Sequence, residues 1–198
     1  MSWLTELYQN LAQEGGNLSI LEIIAVISSL IYVYLAAKTN RICFFFGGLS
    51  SAIYVYICFN YQLYFDTFLN VFYIITSFIG FLAWNKPKSD QAIQFLSPKS
   101  FLWISIVGLI VVLVSGYIVG SYSDASLPYI DSLTTIFALI GTVMVIKKYI
   151  ENWIIWIIVD AISVGLYFFK ELYFTSLLFL LFTIIAVKGY LEWKKQIN

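Results

Sequence analysis

The sequence predicts an all-α membrane protein of seven transmembrane helices, and three observations carry that prediction. The first is composition: the 198 residues are 61% hydrophobic, 19% aromatic and only 11% charged, with a mean hydropathy of +0.88. Soluble domains carry about 25% charged residues. The second is a run of seven apolar segments, at about 19–37, 42–60, 63–84, 101–122, 131–147, 152–170 and 172–191. Most are close to the roughly 20 residues needed to cross a bilayer. The third is where the positive charge falls.

The elements follow in chain order. Residues 1–18 (MSWLTELYQNLAQEGGNL) lack the basic start and cleavage site of a signal peptide. Trp3, Leu4, Leu7, Tyr8 and Leu11 recur at helical spacing, which predicts an amphipathic helix on the outer surface. Residues 19–86 form a first unit of three spans. Residues 87–130 hold a polar loop with two of the three prolines, then a single connecting span. Residues 131–195 form a second unit of three spans.

Lys38 and Arg41 follow the first span, and Lys86, Lys88 and Lys99 surround the long loop. Lys147 and Lys148 follow span five, and Lys188, Lys194 and Lys195 close the chain. Lys170 alone lies on the other side, so ten of eleven basic residues share one side. Basic loops stay cytoplasmic, which predicts the N-terminus outside and the C-terminus inside. An odd span count agrees.

The two three-span units resemble each other at an offset of 109 residues. Leu63-Tyr64-Phe65 recurs as Leu172-Tyr173-Phe174, Gly80 meets Gly189, Trp84 meets Trp193, and Glu22 meets Asp131. A shift of four spans preserves orientation, so the pattern reads as a 3+1+3 arrangement of parallel repeats about an axis along the membrane normal. At this offset Asp160 meets Ser51, so both units place polarity at similar depth.

Asp160 is the feature that asks for a function. It stands near the middle of NWIIWIIVDAISVGLYFF (152–169), where an ionisable group is expensive and by default functional. Trp153, Trp156, Asp160, Ser163 and Tyr167 follow steps of 3, 4, 3 and 4 and share one helical face. Asp66, Asn70, Tyr73 and Ser77 make a polar face on span three, and Thr142 adds a hydroxyl on span five. Indole and phenol faces hold a flat cation, and a carboxylate complements its charge. The pattern points to a pocket for a small, polar, cationic ring compound. Trp84 and Trp193 are expected to anchor span ends in the aromatic belt.

Other chemistries are excluded or weakened. The chain has no histidine, which removes His-based metal sites, Ser-His triads and His proton relays. No Walker A pattern is present. Asp66 and Asp160 sit at different predicted depths, too far apart to serve as an acid pair. Formal charge is zero, so no nucleic-acid partner is implied, and no cofactor is expected. Cys43 and Cys58 lie at opposite ends of one predicted helix, roughly 22 Å apart, and cannot form a disulfide.

KKYIENWIIWIIVDAISVGLYFFKELYFTSLLFLLFTIIAVKGYLEW, together with LYFDTFLNVFYIITSFIGFLAW and LPYIDSLTTIFALIG, resembles the PnuC family of bacterial vitamin transporters. The ENWxxW run at 151–156 with Asp160 is the sharpest part. The resemblance implies a fold like the SWEET sugar transporters, a homotrimer and a place in the bacterial inner membrane. It implies facilitated diffusion of nicotinamide riboside, trapped by a cytoplasmic kinase that phosphorylates it, rather than an enzymatic activity of the chain. Some members carry thiamine or riboflavin, and thiamine uptake is the alternative here. Carried over by position, the pocket includes Asn70, Tyr73, Asn152, Trp153, Trp156 and Asp160.

Overall fold

The computed structural model describes residues 20–60, 64–85, 92–122 and 127–197. The amphipathic segment expected at 1–18, and Lys86 and Lys88, lie outside them. Among the described residues there are seven helices: α1 (Ile20–Ala37), α2 (Cys43–Asn60), α3 (Tyr64–Ala83), α4 (Pro98–Tyr122), α5 (Pro128–Ile146), α6 (Asn152–Phe169) and α7 (Tyr173–Ile197). Each is long and apolar enough to cross a bilayer.

Three boundaries depart from the sequence expectation by more than a residue. Helices α4 and α5 begin at Pro98 and Pro128. Proline has no N–H to lose in a first turn, and its fixed φ suits that position. Helix α7 runs on to Ile197, past the apolar stretch and through Lys194 and Lys195. Positive charge in a last turn complements the helix dipole.

Helix α2 packs against α1 and α3, and α6 against α5 and α7. The two sets meet where α1 lies on α7 and where α3 lies on α5, while α4 rests mainly on α5. The turns after α1 and α5 share one structure, 109 residues apart. Thr39 N–H donates to Ala36 at 3.0 Å and Asn40 N–H to Leu35 at 3.0 Å; Lys148 N–H donates to Val145 at 2.9 Å and Tyr149 N–H to Met144 at 3.0 Å. Thr39 and Lys148 both take left-handed backbone, at φ 52° and 56°. Such turns usually use glycine, and a side chain there costs about 1–2 kcal/mol.

The largest core cluster lies at the end of the bundle that carries Lys38, Lys147, Lys148, Lys194 and Lys195, the basic end. Phe44, Trp84, Trp153 and Trp193 meet there around Cys43, Ala36 and Val145. This corrects the belt role expected for Trp84 and Trp193, which are only 4% and 0% exposed. Each indole N–H donates across to the other set of helices, Trp84 to the Ile146 carbonyl at 3.0 Å and Trp193 to the Ala36 carbonyl at 3.0 Å. Carbonyls in a last helical turn keep a lone pair to spare, as the Ala36 oxygen does beside its bond from Thr39 N–H. A buried indole needs a partner for its N–H, so the two needs are met together. Large apolar side chains such as Phe45, Phe68, Phe78 and Trp103 point outward instead. In water that surface would be a liability; in a bilayer it meets its own solvent.

Candidate functional site

The start of α6 is fixed by a short strap. Gln94 N–H donates to the Lys148 carbonyl, and Ile150 N–H to the Gln94 carbonyl, both at 3.0 Å. Leu96 N–H donates to the Glu151 carboxylate, with both oxygens at 3.1 Å. Helix α6 rises from this clamp with one polar-aromatic face.

Asn152 and Trp153 open that face inside the core at the basic end. The Trp153 ring lies over Gly189, where an added Cβ would stand 2.7 Å from it, and meets Trp193 edge-on at 5.5 Å. Asn152 is fully buried and its Nδ2–H donates to the Tyr149 carbonyl at 2.6 Å. Among the described residues, Asn152 Oδ1 and Trp153 Nε1 have no hydrogen-bond partner. One turn on, the Trp156 indole covers Gly141 of α5, where a Cβ would stand 3.1 Å from its Nε1.

Asp160 follows, 5% exposed. Among the described residues its carboxylate makes no hydrogen bond and no ion pair. Tyr73 of α3 stands within its electrostatic reach. A buried carboxylate with no protein cation beside it is costly to keep charged, unless a solute brings the positive charge.

The hydroxyls behave differently from the sequence expectation. Ser163 Oγ–H donates to its own helix at Val159, at 2.9 Å, and Thr142 Oγ1–H to Ala138 at 2.8 Å. Asn70 Nδ2–H likewise donates to Asp66 O at 2.8 Å. The Ser163 and Thr142 hydrogens are turned into the backbone, which leaves oxygen lone pairs as what these hydroxyls offer a solute, whereas Asn70 keeps a second Nδ2–H and its Oδ1. Tyr167 stacks on Phe179 of α7 at 5.2 Å and 7°. It stands toward the opposite, acidic end, where Asp131 pairs with Lys170 at 3.8 Å.

The structure therefore brings Trp153, Trp156, Asp160, Ser163 and Tyr167 onto one face, with Tyr73 near its centre. Asn70 stands beside Asp66 near the acidic end of α3, and Thr142 is buried on α5. Two aromatic neighbours were not anticipated, Tyr32 of α1 and Tyr54 of α2. Tyr54 lies within electrostatic reach of Tyr167 and Glu22. Two grooves of about 450 and 400 Å³ lie elsewhere, along α4 and α5, lined by Ile104, Leu139 and Ile140. Among the described residues no three His, Cys, Asp or Glu side chains come together as a metal site.

The chain resembles known proteins along most of its length. Residues 19–195 match the family model described as nicotinamide mononucleotide transporter. The nicotinamide riboside transporter PnuC of Escherichia coli K12 is 25% identical over 207 residues, covering 90% of this chain and 87% of that protein. The transporter of the same name from Neisseria mucosa is 26% identical over 190 residues, covering 88% and 72%. A crystal structure of the vitamin B3 transporter PnuC shares the fold, with a TM-score of 0.73, 22% identity, and coverage of 96% of this chain and 89% of that one. With seven helices of spanning length among its described residues and a family match over nearly its whole length, the chain belongs to the nicotinamide mononucleotide transporter family, in its PnuC group, and is a multi-pass protein of the bacterial inner membrane.

Proposed function

We propose that the protein imports nicotinamide riboside by facilitated diffusion. Asp160 carries this reading: a carboxylate buried at mid-helix, with no cation paired to it among the described residues, on a face with two indoles. Nicotinamide riboside is a cationic ring on a sugar, which supplies the missing charge and offers hydroxyls to the lone pairs of Ser163 and Thr142. The names of the relatives point to the same solute.

In this reading the spans form two three-helix units joined by α4, a 3+1+3 arrangement about an axis along the membrane normal. The 109-residue recurrence of the turns after α1 and α5, and of the indole donors Trp84 and Trp193, whose acceptors Ile146 and Ala36 stand one residue off that offset, supports it. The basic end faces the cytoplasm and the N-terminus lies outside. Access to Asp160 alternates between the two sides as the units rock. The chain converts nothing chemically; a cytoplasmic kinase traps the vitamin as its phosphate. It works as a homotrimer.

Thiamine is also a cationic ring, and Asp160 does not separate the two. The test is uptake of labelled nicotinamide riboside and labelled thiamine, each alone, into liposomes holding the purified protein. Saturable entry of the riboside is the expected result. Entry of thiamine alone would keep the mechanism and change the solute. Entry of neither would overturn the reading.

A further inference from the structure

The 109-residue correspondence contains one reversal of size. Gly47 on α2 corresponds to Trp156 on α6, and Tyr32 on α1 corresponds to Gly141 on α5. In the second unit the large ring comes from α6 and the glycine from α5: the Trp156 indole fills the space over Gly141. In the first unit the ring comes from α1 and the glycine from α2: a Cβ on Gly47 would stand 3.0 Å from the Tyr32 ring. Each glycine stands tight against the ring opposite it, so the exchange is a matched pair and not drift at one position.

The depth of the two rings agrees. Tyr32 lies five residues before the end of α1, and Trp156 four residues after the start of α6, both at the basic end. At about 1.5 Å per residue they stand in one layer, roughly one turn from Asp160. Tyr32 is in that neighbourhood through Tyr73, which lies within electrostatic reach of both Tyr32 and Asp160. Ser77 Oγ would also touch a Cβ on Gly47, at 3.3 Å, so α3 closes the same corner. Tyr32 and Trp156 are each packed on the core at the basic end and are only partly buried.

We propose that Tyr32 is a solute-contacting residue, the second aromatic wall of the path opposite Trp156. This rests on the transport reading above. Had the repeat been kept, two rings from α2 and α6 would face each other across the axis in a symmetric site. The exchange replaces that with a phenol from α1 and an indole from α6. A solute with a ring at one end and a sugar at the other needs such an asymmetric site. Gly47 then serves to hold the Tyr32 ring close, and a side chain there would push it into the path.

The experiment has two arms. In the first, Tyr32→Leu, Tyr32→Phe and the exchange variant Tyr32→Gly with Gly47→Tyr are compared with the unaltered protein in liposome uptake of nicotinamide riboside and thiamine. Tyr32→Leu is expected to raise KM about tenfold with little change in maximal rate, and Tyr32→Phe to keep KM within about threefold, as the loss or retention of one ring-stacking contact predicts. The exchange variant restores the volume on the wrong helix and is expected to resemble Tyr32→Leu. A normal KM in Tyr32→Leu, or in a folded exchange variant, overturns the proposal while leaving the transport reading intact. The second arm needs no known solute. In a Cys43→Ala, Cys58→Ala background, Tyr32→Cys and Trp156→Cys are treated with a small cationic methanethiosulfonate, with lipid-facing Tyr34→Cys as control. Labelling at 32 and 156 but not at 34 is expected. Labelling at 156 without 32, or at neither, overturns the proposal even if no vitamin is carried.

Discussion

The Trp193 indole donates to the Ala36 carbonyl at 3.0 Å, and Trp84, 109 residues earlier, donates to Ile146 at 3.0 Å. Each bond joins the last helix of one set to the first helix of the other, and the two indoles themselves meet at 6.1 Å. The basic end is thus tied twice across the interface. Trp193→Phe keeps most of the apolar contact and removes one buried hydrogen bond, a loss of about 1 kcal/mol. Because the two rings touch, the double change Trp84→Phe with Trp193→Phe should depart from the sum of the single losses. Thermal unfolding of the four proteins in one detergent measures this; strict additivity would mean that the two bonds act independently.

The sequence made some of this legible and hid the rest for identifiable reasons. Seven spans could be read because a bilayer demands long apolar runs, and Asp160 because a carboxylate contrasts with them. Trp84 and Trp193 mislead because a tryptophan at a span end looks the same in sequence whether it meets headgroups or another helix. Hydropathy carries no azimuth. The hydroxyls of Ser163 and Thr142 were visible, but not that each donates to its own helix one turn back. Tyr32 is hidden because matching residues define the offset, and its signal lies in a pair that exchanges size.

The same end of the bundle depends on two corresponding glycines. A methyl on Gly189 would stand 2.7 Å from the Trp153 ring, and one on Gly80 would run into the Phe44 ring. Gly80→Ala and Gly189→Ala should each cost about 1–3 kcal/mol by overpacking. Trimming the opposing ring, with Phe44→Leu beside Gly80→Ala, should recover part of the loss. Chemical denaturation in micelles would show it, and the absence of recovery would place the strain elsewhere.

Lys148 makes the stability of the basic end depend on pH. It lies in the turn between α5 and α6, 4.5 Å from the Trp84 ring centre, and burial holds its pKa below the ordinary lysine value of 10.5, a shift partly opposed by Cys43. In the interval between the lowered value and 10.5, the unfolded chain binds the proton and the folded chain does not. Stability contributed by this group therefore rises with pH across that interval. Lys148→Met should flatten that part of the melting curve relative to the unaltered protein. An identical pH slope in both would remove Lys148 as its source.

The strap at Gln94–Leu96 should loosen when Glu151 loses its carboxylate. Leu96 N–H donates to both oxygens, and charged hydrogen bonds contribute about 1.5–3 kcal/mol. Glu151→Ala should speed hydrogen exchange at Gln94, Leu96 and Ile150 by about tenfold or more, whereas Glu151→Gln, which keeps one acceptor, should lie between. Unchanged exchange at Gln94 in Glu151→Ala would show that the backbone pairing holds the strap alone.

Asp160 offers the sharpest separation between stability and function. Its carboxylate is buried without a partner among the described residues, so the neutral amide of Asp160→Asn should fold at least as well and melt higher. The same change removes the charge that complements a cationic solute, and uptake efficiency should fall about 10–100-fold, as a charged contact of about 1.5–3 kcal/mol implies. A neutral analogue of the solute should lose much less. Opposite movement of melting temperature and uptake is what a binding carboxylate produces. A lower melting temperature with normal uptake would instead assign Asp160 to holding helices together.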